Sequence, residues 1–370
     1  MRFPHEIDQL YELLAASSRV LDSVREDILS KAINGNGLSL QEAAVLLTAP
    51  ASWDERVFTS ASELNTRIRK KVITFYGVVY IHDFCVNHCT YCGDSYHAKE
   101  AKRKLLTEEE FVADVQALLN HHQLKQICFL MGEDWLRFKH DQLIKYLQAI
   151  TSIYREKIIL NIPPLSVDQF RKIRDALPNN CLQFRVFQET YDPEIYAREH
   201  RRGPKMNYDW RVAAQARALD AGFDEAGHGV LYGLNNKERG HLFETLAVLA
   251  HARELYERFR KRSQTISFPR VLPAPDIDYH PAAPIDDGTL KRCISVVKLT
   301  EPMIDTVITC REEKSFRCSI RSVVNIEDFA ARPGPGGNSI PETRQQMFLP
   351  DMRSGEEVRD EMLAEGYEVR

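Results

Sequence analysis

Three closely spaced cysteines, Cys85, Cys89 and Cys92 in the run Cys-Val-Asn-His-Cys-Thr-Tyr-Cys, are the residues here whose type and spacing most directly imply chemistry. Three thiolates on one short loop can ligate three corners of a cubane iron–sulfur cluster and leave the fourth iron open to a substrate. Zinc is a competing reading, because a tetrahedral site needs one further ligand and His82, His88 and His97 lie nearby. A ferredoxin-like cluster would take a fourth cysteine, and none is close in sequence. The other five cysteines, at 128, 181, 293, 310 and 318, stand singly in apolar segments and read as buried small side chains.

A second feature follows the apolar run QICFLM, where the chain continues Gly132-Glu133. A glycine lets the backbone approach a ligand closely, and the adjacent carboxylate or a carbonyl accepts from an ammonium group.

These residues need a scaffold, and the pattern of apolar runs supplies one. VITFYGVVYI (72–81) reads as a strand that delivers the cysteine loop. After it come a helix in TEEEFVADVQALLNHH with Thr107 as its cap, then the strand QICFLMG, then a helix in DQLIKYLQAITSIYR. KIILNI, LQFRVFQ, GHGVLYGL, TISFPRVLP and TVITC supply further strands. Helices intervene in SVDQFRKIRDAL, in DWRVAAQARALDAG (ended by Gly222) and in ETLAVLAHARELYERFRKR. Repeated β–α units with short, nearly all-apolar strands imply a parallel sheet buried on both faces. Six or more in series favour a closed (β/α)8 TIM-type barrel, with an open doubly wound sheet as the alternative. A helical N-terminal extension (1–65), an α/β barrel (66–345) and a helical tail (346–370) are expected. Within the first, Ser39 is a candidate cap. The Pro/Gly stretch ARPGPGGNSIP (331–341) is expected to be a loop of low order.

Composition excludes several classes. The 370 residues carry a net charge of −4, so the basic excess of a nucleic-acid binder is absent. No apolar run approaches the roughly 20 residues that cross a bilayer, and MRFPHEIDQL lacks a signal peptide's apolar core. A cytoplasmic protein without nucleic-acid or membrane partners is expected.

The chain resembles the aromatic amino acid lyase branch of the radical S-adenosylmethionine (SAM) superfamily, which includes the tyrosine lyases of thiamine biosynthesis and [FeFe]-hydrogenase maturation. It is similar, more distantly, to the tryptophan lyases. The likeness runs from about Leu38 to the C-terminus and rests on VYIHDFCVNHCTYCG, KRKLLTEEE, FLMGED, FQETYDPEIY, GPKMNYDWR, GVLYGL, ISFPRVLPAP and CREEKSFR. It looks closest to the hydrogenase-maturation branch.

What the resemblance implies is concrete. Cys85, Cys89 and Cys92 would hold one 4Fe-4S cluster, and Tyr91 would lie against the SAM adenine. Gly132 and Glu133 would receive the SAM amino group. Asn161, Gln188, Glu189 and Arg270 would supply the rim around SAM and substrate, although Glu189 also suits a local ion pair and Arg270 a structural role. Tyr80 and Arg311 would hold the substrate carboxylate. At the end of TVITC, Arg311 would point to the rim with a fork that matches a carboxylate, where a surface salt bridge is the plainer reading. With an electron from flavodoxin or ferredoxin, the implied reaction cuts SAM. The 5′-deoxyadenosyl radical then breaks Cα–Cβ of a free amino acid, by default tyrosine, giving dehydroglycine and p-cresol. A tryptophan-lyase-like reaction on another amino acid and a non-catalytic cluster scaffold are the alternatives. No cysteine follows Cys318, so the second cluster of the hydrogenase branch is not expected. Departures at His82, Asp83, Asp94, His228, Cys310 and Asp328 put titratable groups where the family has neutral ones. They mark either a changed substrate pocket or drift on loops.

Overall fold

In a computed structural model the chain is described at residues 7–121, 124–260, 262–340 and 342–370. The first six residues of the expected extension, together with His122, Lys261 and Pro341 of the expected elements, lie outside these.

Four helices, α1 (Ile7–Ser17), α2 (Asp22–Ile33), α3 (Leu40–Leu47) and α4 (Asp54–Arg69), precede β1 (Val72–His82). Units then repeat as α5 (Glu108–His121), β2 (Gln126–Met131), α6 (His140–Ala149), β3 (Lys157–Asn161), α7 (Val167–Ala176) and β4 (Leu182–Arg185). The series continues through α8 (Pro193–Glu199), α9 (Tyr208–Val212), α10 (Ala214–Asp220), β5 (Glu225–Gly229), α11 (Gly240–Arg258) and β6 (Gln264–Ser267). It closes with α12 (Asp287–Thr300), β7 (Asp305–Ile308), α13 (Lys314–Ile320), β8 (Ile326–Asp328), α14 (Gly355–Ala364) and β9 (Glu368–Val369). Strands β1 to β8 pair in parallel with their neighbours, and β1 pairs with both β2 and β8, so the eight strands close into a TIM-type barrel.

Strand alternation decides what the barrel holds. On β1, Ile73, Phe75, Val79 and Ile81 face the helical layer, while Tyr76, Val78 and Tyr80 face the lumen. On β4 and the two residues after it, Leu182, Phe184 and Val186 face outward, so Gln183, Arg185 and Phe187 face inward. Helices α1, α3 and α4 lie against α11 and α12 in one apolar core that includes Leu10, Leu14, Leu46, Phe243 and Leu290. The α5–α7 side of the barrel has its own core, around Phe111, Phe129 and Phe170.

Local chemistry sets several boundaries. Ser39, Ser166 and Ser354 each close a capping box, the first ending in Ser39 Oγ accepting from Glu42 N at 3.2 Å. Thr107 caps α5 as expected, accepting from Glu110 N.

Four expectations need correction. The helix expected through Arg155 stops at Ala149, where Ile150, Thr151 and Ile153 are β-branched and the Thr151 hydroxyl donates to Gln148 O at 2.8 Å. The helix expected through DWRVAAQARALDAG is two, α9 and α10, anchored separately. Arg211 Nε reaches Phe187 O at 2.8 Å, and Gln215 Nε2 reaches Val186 O at 3.0 Å. The tail is more than a helix: Gly366, at φ 78, ends α14, and Glu368–Val369 joins β1 as a parallel strand beside Val72 and Ile73. Lastly, the Pro/Gly stretch is packed. Residues 331–337 are buried except Arg332, and the next turn is held by one carboxylate. Asp114 Oδ1 accepts from Asn338 N, Ser339 N and Ser339 Oγ at 2.8, 2.8 and 2.9 Å, and Oδ2 accepts from Asn338 Nδ2 at 3.0 Å.

Candidate active site

The eight strands point their C-terminal ends at one cavity of about 260 Å³. Lining it are all three clustered cysteines, Tyr80, Tyr91, Gly132, Glu133, Asn161, Glu189 and Arg311. Residues as far apart in sequence as Tyr80 and Arg311 thus meet at the mouth because they end, or follow, five of the strands: β1, β2, β3, β4 and β7.

The cysteine loop leaves β1 and is stitched to its neighbours by backbone bonds. Val86 N donates to Glu133 O at 2.9 Å, His88 N to Arg202 O at 2.9 Å and Thr90 N to Glu199 O at 3.1 Å. Gly132 is required by this packing, since a Cβ there would lie 2.2 Å from Phe84 O. Asn87 bridges three segments: its amide donates to Glu133 Oε2 at 2.6 Å and its carbonyl accepts from Lys205 N at 2.8 Å.

The thiols are set for a cation. Burial pushes the Cys89 thiol up to about 12 and raises Cys85 and Cys92 as well, so ionisation there needs a compensating positive charge. Amides approach two of the sulfurs, Asn87 Nδ2 to Cys85 and Gln346 Nε2 to Cys92, each at 3.6 Å. Such contacts suit thiolate ligands of a cluster. Zinc would need the ligands to converge on one ion. Among the described residues no three His, Cys, Asp or Glu side chains converge to hold one ion. His88 pairs with His97 at 3.3 Å, and His82 packs on Phe138. A cubane assigns each cysteine to a different iron, so its ligands need not converge on a point.

Beside the cysteines lies a charged network. Lys205 Nζ donates to Glu189 Oε1 at 2.7 Å and to Tyr91 Oη at 3.2 Å, Arg211 Nη2 reaches Glu189 at 3.3 Å, and Tyr91 Oη meets His200 Nε2 at 2.8 Å. Burial pushes the Glu189 carboxyl up, but Lys205 and Arg211 outweigh it and hold the group below its ordinary value. Glu189 also sits at φ 71, a left-handed conformation that aims it at the mouth and that surrounding bonds must maintain.

Opposite, Arg311 sends Nη2 to Arg270 O at 2.7 Å and Nη1 to the Met347 thioether, a weak acceptor, while its buried Nε has no partner. Tyr80 Oη donates to Gln346 Oε1 at 3.3 Å. A carboxylate arriving here would meet a guanidinium whose donors are under-used.

Two expected site residues are placed elsewhere. Gln188, past the end of β4, is buried with neither amide atom partnered and does not line the cavity. Arg270 turns its side chain away from the mouth, to Glu312 at 2.6 Å and Asp287 at 2.7 Å. The six departures divide in the same way. Asp94, Cys310 and Asp328 line the cavity. His228 lies behind the barrel wall, with Nε2 2.8 Å from Gln264 Oε1 and its pKa lowered to about 4 by burial. His82 is likewise buried off the cavity and Asp83 accepts from Lys104 N at 2.7 Å, so these three do not shape the pocket.

The structure adds Arg185, Lys205, Arg211 and Gln346 to the cavity. Arg185 carried a signal, a lone arginine at an inward position of the apolar strand LQFRVF. Lys205 and Arg211 lie in the segment GPKMNYDWR, but nothing in its local pattern says that they fold back to Glu189. Gln346 arrives from a stretch with no periodicity at all.

Comparisons with known proteins agree with this geometry. The model of the radical SAM superfamily matches residues 79–246. The chain is 27% identical over 345 residues to the 2-iminoacetate synthase of Escherichia coli (strain K12), covering 92% of this chain and 88% of that protein. It is 26% identical over 344 residues to the enzyme of the same name from Salmonella typhimurium, with the same coverage. Among solved structures it is similar to HydG, a maturase of the [FeFe]-hydrogenase, at 28% identity and a TM-score of 0.89, covering 98% of this chain and 79% of that one. For HydG from Carboxydothermus hydrogenoformans the values are 29%, 0.87, 98% and 83%. The cysteine loop thus sits on a closed barrel within the segment that the radical SAM model matches, and along nearly its whole length the chain is similar to 2-iminoacetate synthases and to HydG.

Proposed function

We propose that this protein is a radical SAM carbon–carbon lyase that cleaves Cα–Cβ of a free amino acid, with tyrosine as the reference substrate and dehydroglycine and p-cresol as products. The observation that carries this reading is the shared cavity. Three cysteines able to hold a cluster open onto the same enclosed space as an under-used guanidinium, Arg311, suited to an amino acid's carboxylate.

Bound by Cys85, Cys89 and Cys92, one 4Fe-4S cluster, reduced by flavodoxin or ferredoxin, would supply the chemistry that cuts SAM to a 5′-deoxyadenosyl radical. The protein's own residues bind, orient and exclude water. Tyr91 is held by His200 and Lys205 as a fixed aromatic wall. Glu133, Asn161 and Glu189 present oxygens for the SAM amino and ribose groups, and Gly132 lets the backbone come close. Tyr80 and Arg311 fix the substrate's carboxylate end. Pro333, Gln346, Met347 and Leu349, from the segments after β8, line the mouth and would keep solvent from the reactive centre.

Anaerobic reconstitution with iron and sulfide, followed by product analysis with SAM, a reductant and tyrosine, tests the proposal. Iron and sulfide should bind, and 5′-deoxyadenosine and p-cresol should form together. Cys85→Ala, Cys89→Ala and Cys92→Ala should each abolish both products. A loaded cluster that yields no 5′-deoxyadenosine with any amino acid would sink the lyase reading in favour of a scaffold. Asp94, Cys310 and Asp328 on the cavity wall favour a second reading, in which the same chemistry acts on a different amino acid. Turnover of another substrate without p-cresol would establish it.

A further inference from the structure

Arg185 ends β4 with its side chain in the barrel lumen, only 2% exposed, on the wall of the cavity that holds the cysteines and Arg311. Its hydrogen bonds go to one neutral acceptor: Nε and Nη2 reach Gln183 Oε1 at 3.2 and 2.9 Å. The guanidinium lies over the Tyr76 ring, 5.0 Å from its centroid, and no acidic side chain among the described residues pairs with it. A buried cation is normally paired, because removing it from water without a counter-charge is strongly unfavourable.

The surroundings make room for this side chain. A Cβ at Gly227, the residue paired with Arg185 on β5, would lie 2.7 Å from Arg185 Cγ. The next strand in register sets Thr265 beside Gly227 and Ser267 beside Gly229. Both hydroxyls are buried and unpartnered. Of these side chains Arg185 is the one on the cavity wall, and it lies deep. Tyr76, which Arg185 covers, precedes Tyr80 on β1 by four residues, on the order of 13 Å along the strand at roughly 3.3 Å per residue.

We infer that Arg185 forms a distal subsite that selects amino acids whose side chain ends in an oxygen able to carry negative charge, a carboxylate or a phenol. The inference rests on the lyase reading for the amino acid itself, whose carboxylate end lies at Arg311. It extends that reading to the far end of the substrate. Arg185 is then a specificity residue, and its partner is the ligand.

Equilibrium binding to the SAM-loaded, anaerobically reconstituted enzyme tests it, with two pairs of probes that differ mainly at the tail: tyrosine against phenylalanine, and 2-aminoadipate against norleucine. At least one oxygen-tailed member should bind roughly 10- to 100-fold more tightly than its apolar partner, the range of a charge-assisted hydrogen bond. Which pair shows the advantage separates a phenol from a carboxylate. The advantage should vanish in Arg185→Gln and survive in part in Arg185→Lys. Equal binding within both pairs, binding of none of the four, or an advantage that persists in Arg185→Gln overturns the inference. The wild-type contrast stands even if the variants fold poorly. Because binding is read apart from turnover, absence of 5′-deoxyadenosine would count against the lyase chemistry alone.

Discussion

At the scale of single residues, the cavity wall contains a carboxyl whose environment works against its charge. Asp328 is 4% exposed; its Oδ1 accepts from Cys310 N at 2.5 Å and its Oδ2 lies 3.5 Å from the Cys310 sulfur. Burial pushes the group up to about 6, although Arg317 and the Cys310 bonds pull the other way. In the folded chain it therefore keeps a proton that the unfolded chain has already lost. Its contribution to stability is full below about pH 4 and is lost as pH rises through about 6. Thermal stability should thus decline between about pH 4 and pH 6, and Asp328→Asn should reduce that decline, gaining on the order of 2 kcal/mol over wild type near neutrality. Glu244, raised by burial to about 7, adds a slope of the same sign to both proteins and cancels in the comparison. An Asp328→Asn profile parallel to wild type would show that the carboxyl is already ionised in this range. The cysteine triplet is legible in sequence because its ligands are local. Arg185, Lys205 and Arg211 are less so, because their roles depend on partners one or more strands away and a single charged letter does not name its partner.

At the scale of elements, the strands and their order are readable because apolar runs of four to eight residues repeat between amphipathic helices. What is not readable is the conformation of stretches whose order comes from distant partners. The segment ARPGPGGNSIP has the composition of a free loop, yet Asp114 of α5 holds its turn with four hydrogen bonds, and Pro335 pairs with Tyr80 of β1. Beyond it, Arg344 bonds Asp94 at 3.1 Å, and Gln346 bonds Asp94 at 2.7 Å. Asp114 is thus the anchor of a strap that reaches the cavity. Asp114→Ala leaves the Asn338 and Ser339 donors without their acceptor and should cost about 1–3 kcal/mol. Amide hydrogen exchange should quicken across 331–349 and leave α11 and α12 protected, and the Michaelis constant for the amino acid should rise. Uniform exchange across the barrel would instead show that the strap is not a separate cooperative element.

At the scale of the whole molecule, the question is whether the N-terminal helices are an appendage or part of the barrel's own stability. Their amphipathic pattern is plain in sequence, but periodicity does not say which surface they cover. The packing answers it: Leu10 and Leu14 of α1 and Leu46 of α3 share one buried core with Phe243 and Leu249 of α11 and with Leu290 of α12. Tyr11 stacks on Phe243 at 4.2 Å between centroids, donates to Asp192 Oδ2 at 3.1 Å and accepts from Asn235 Nδ2 at 2.9 Å. Asp192 and Asn235 lie on the segments that follow β4 and β5, the same two strands whose ends carry Glu189 and the wall of the mouth. The extension therefore braces the helices behind half of the barrel and the loops above it. Leu14, fully buried, is the direct probe. Leu14→Ala removes apolar contact and leaves a cavity, a change that costs roughly 2–5 kcal/mol in well-packed cores. If helices and barrel unfold together, calorimetry should show one transition shifted to lower temperature, with barrel and extension lost at once. If the helices are an appendage, a separate early transition should appear and the main one should stay in place. The continuity of the core requires the first result, because α11 and α12 cannot keep the apolar faces they turn to the extension buried once α1 and α3 have left.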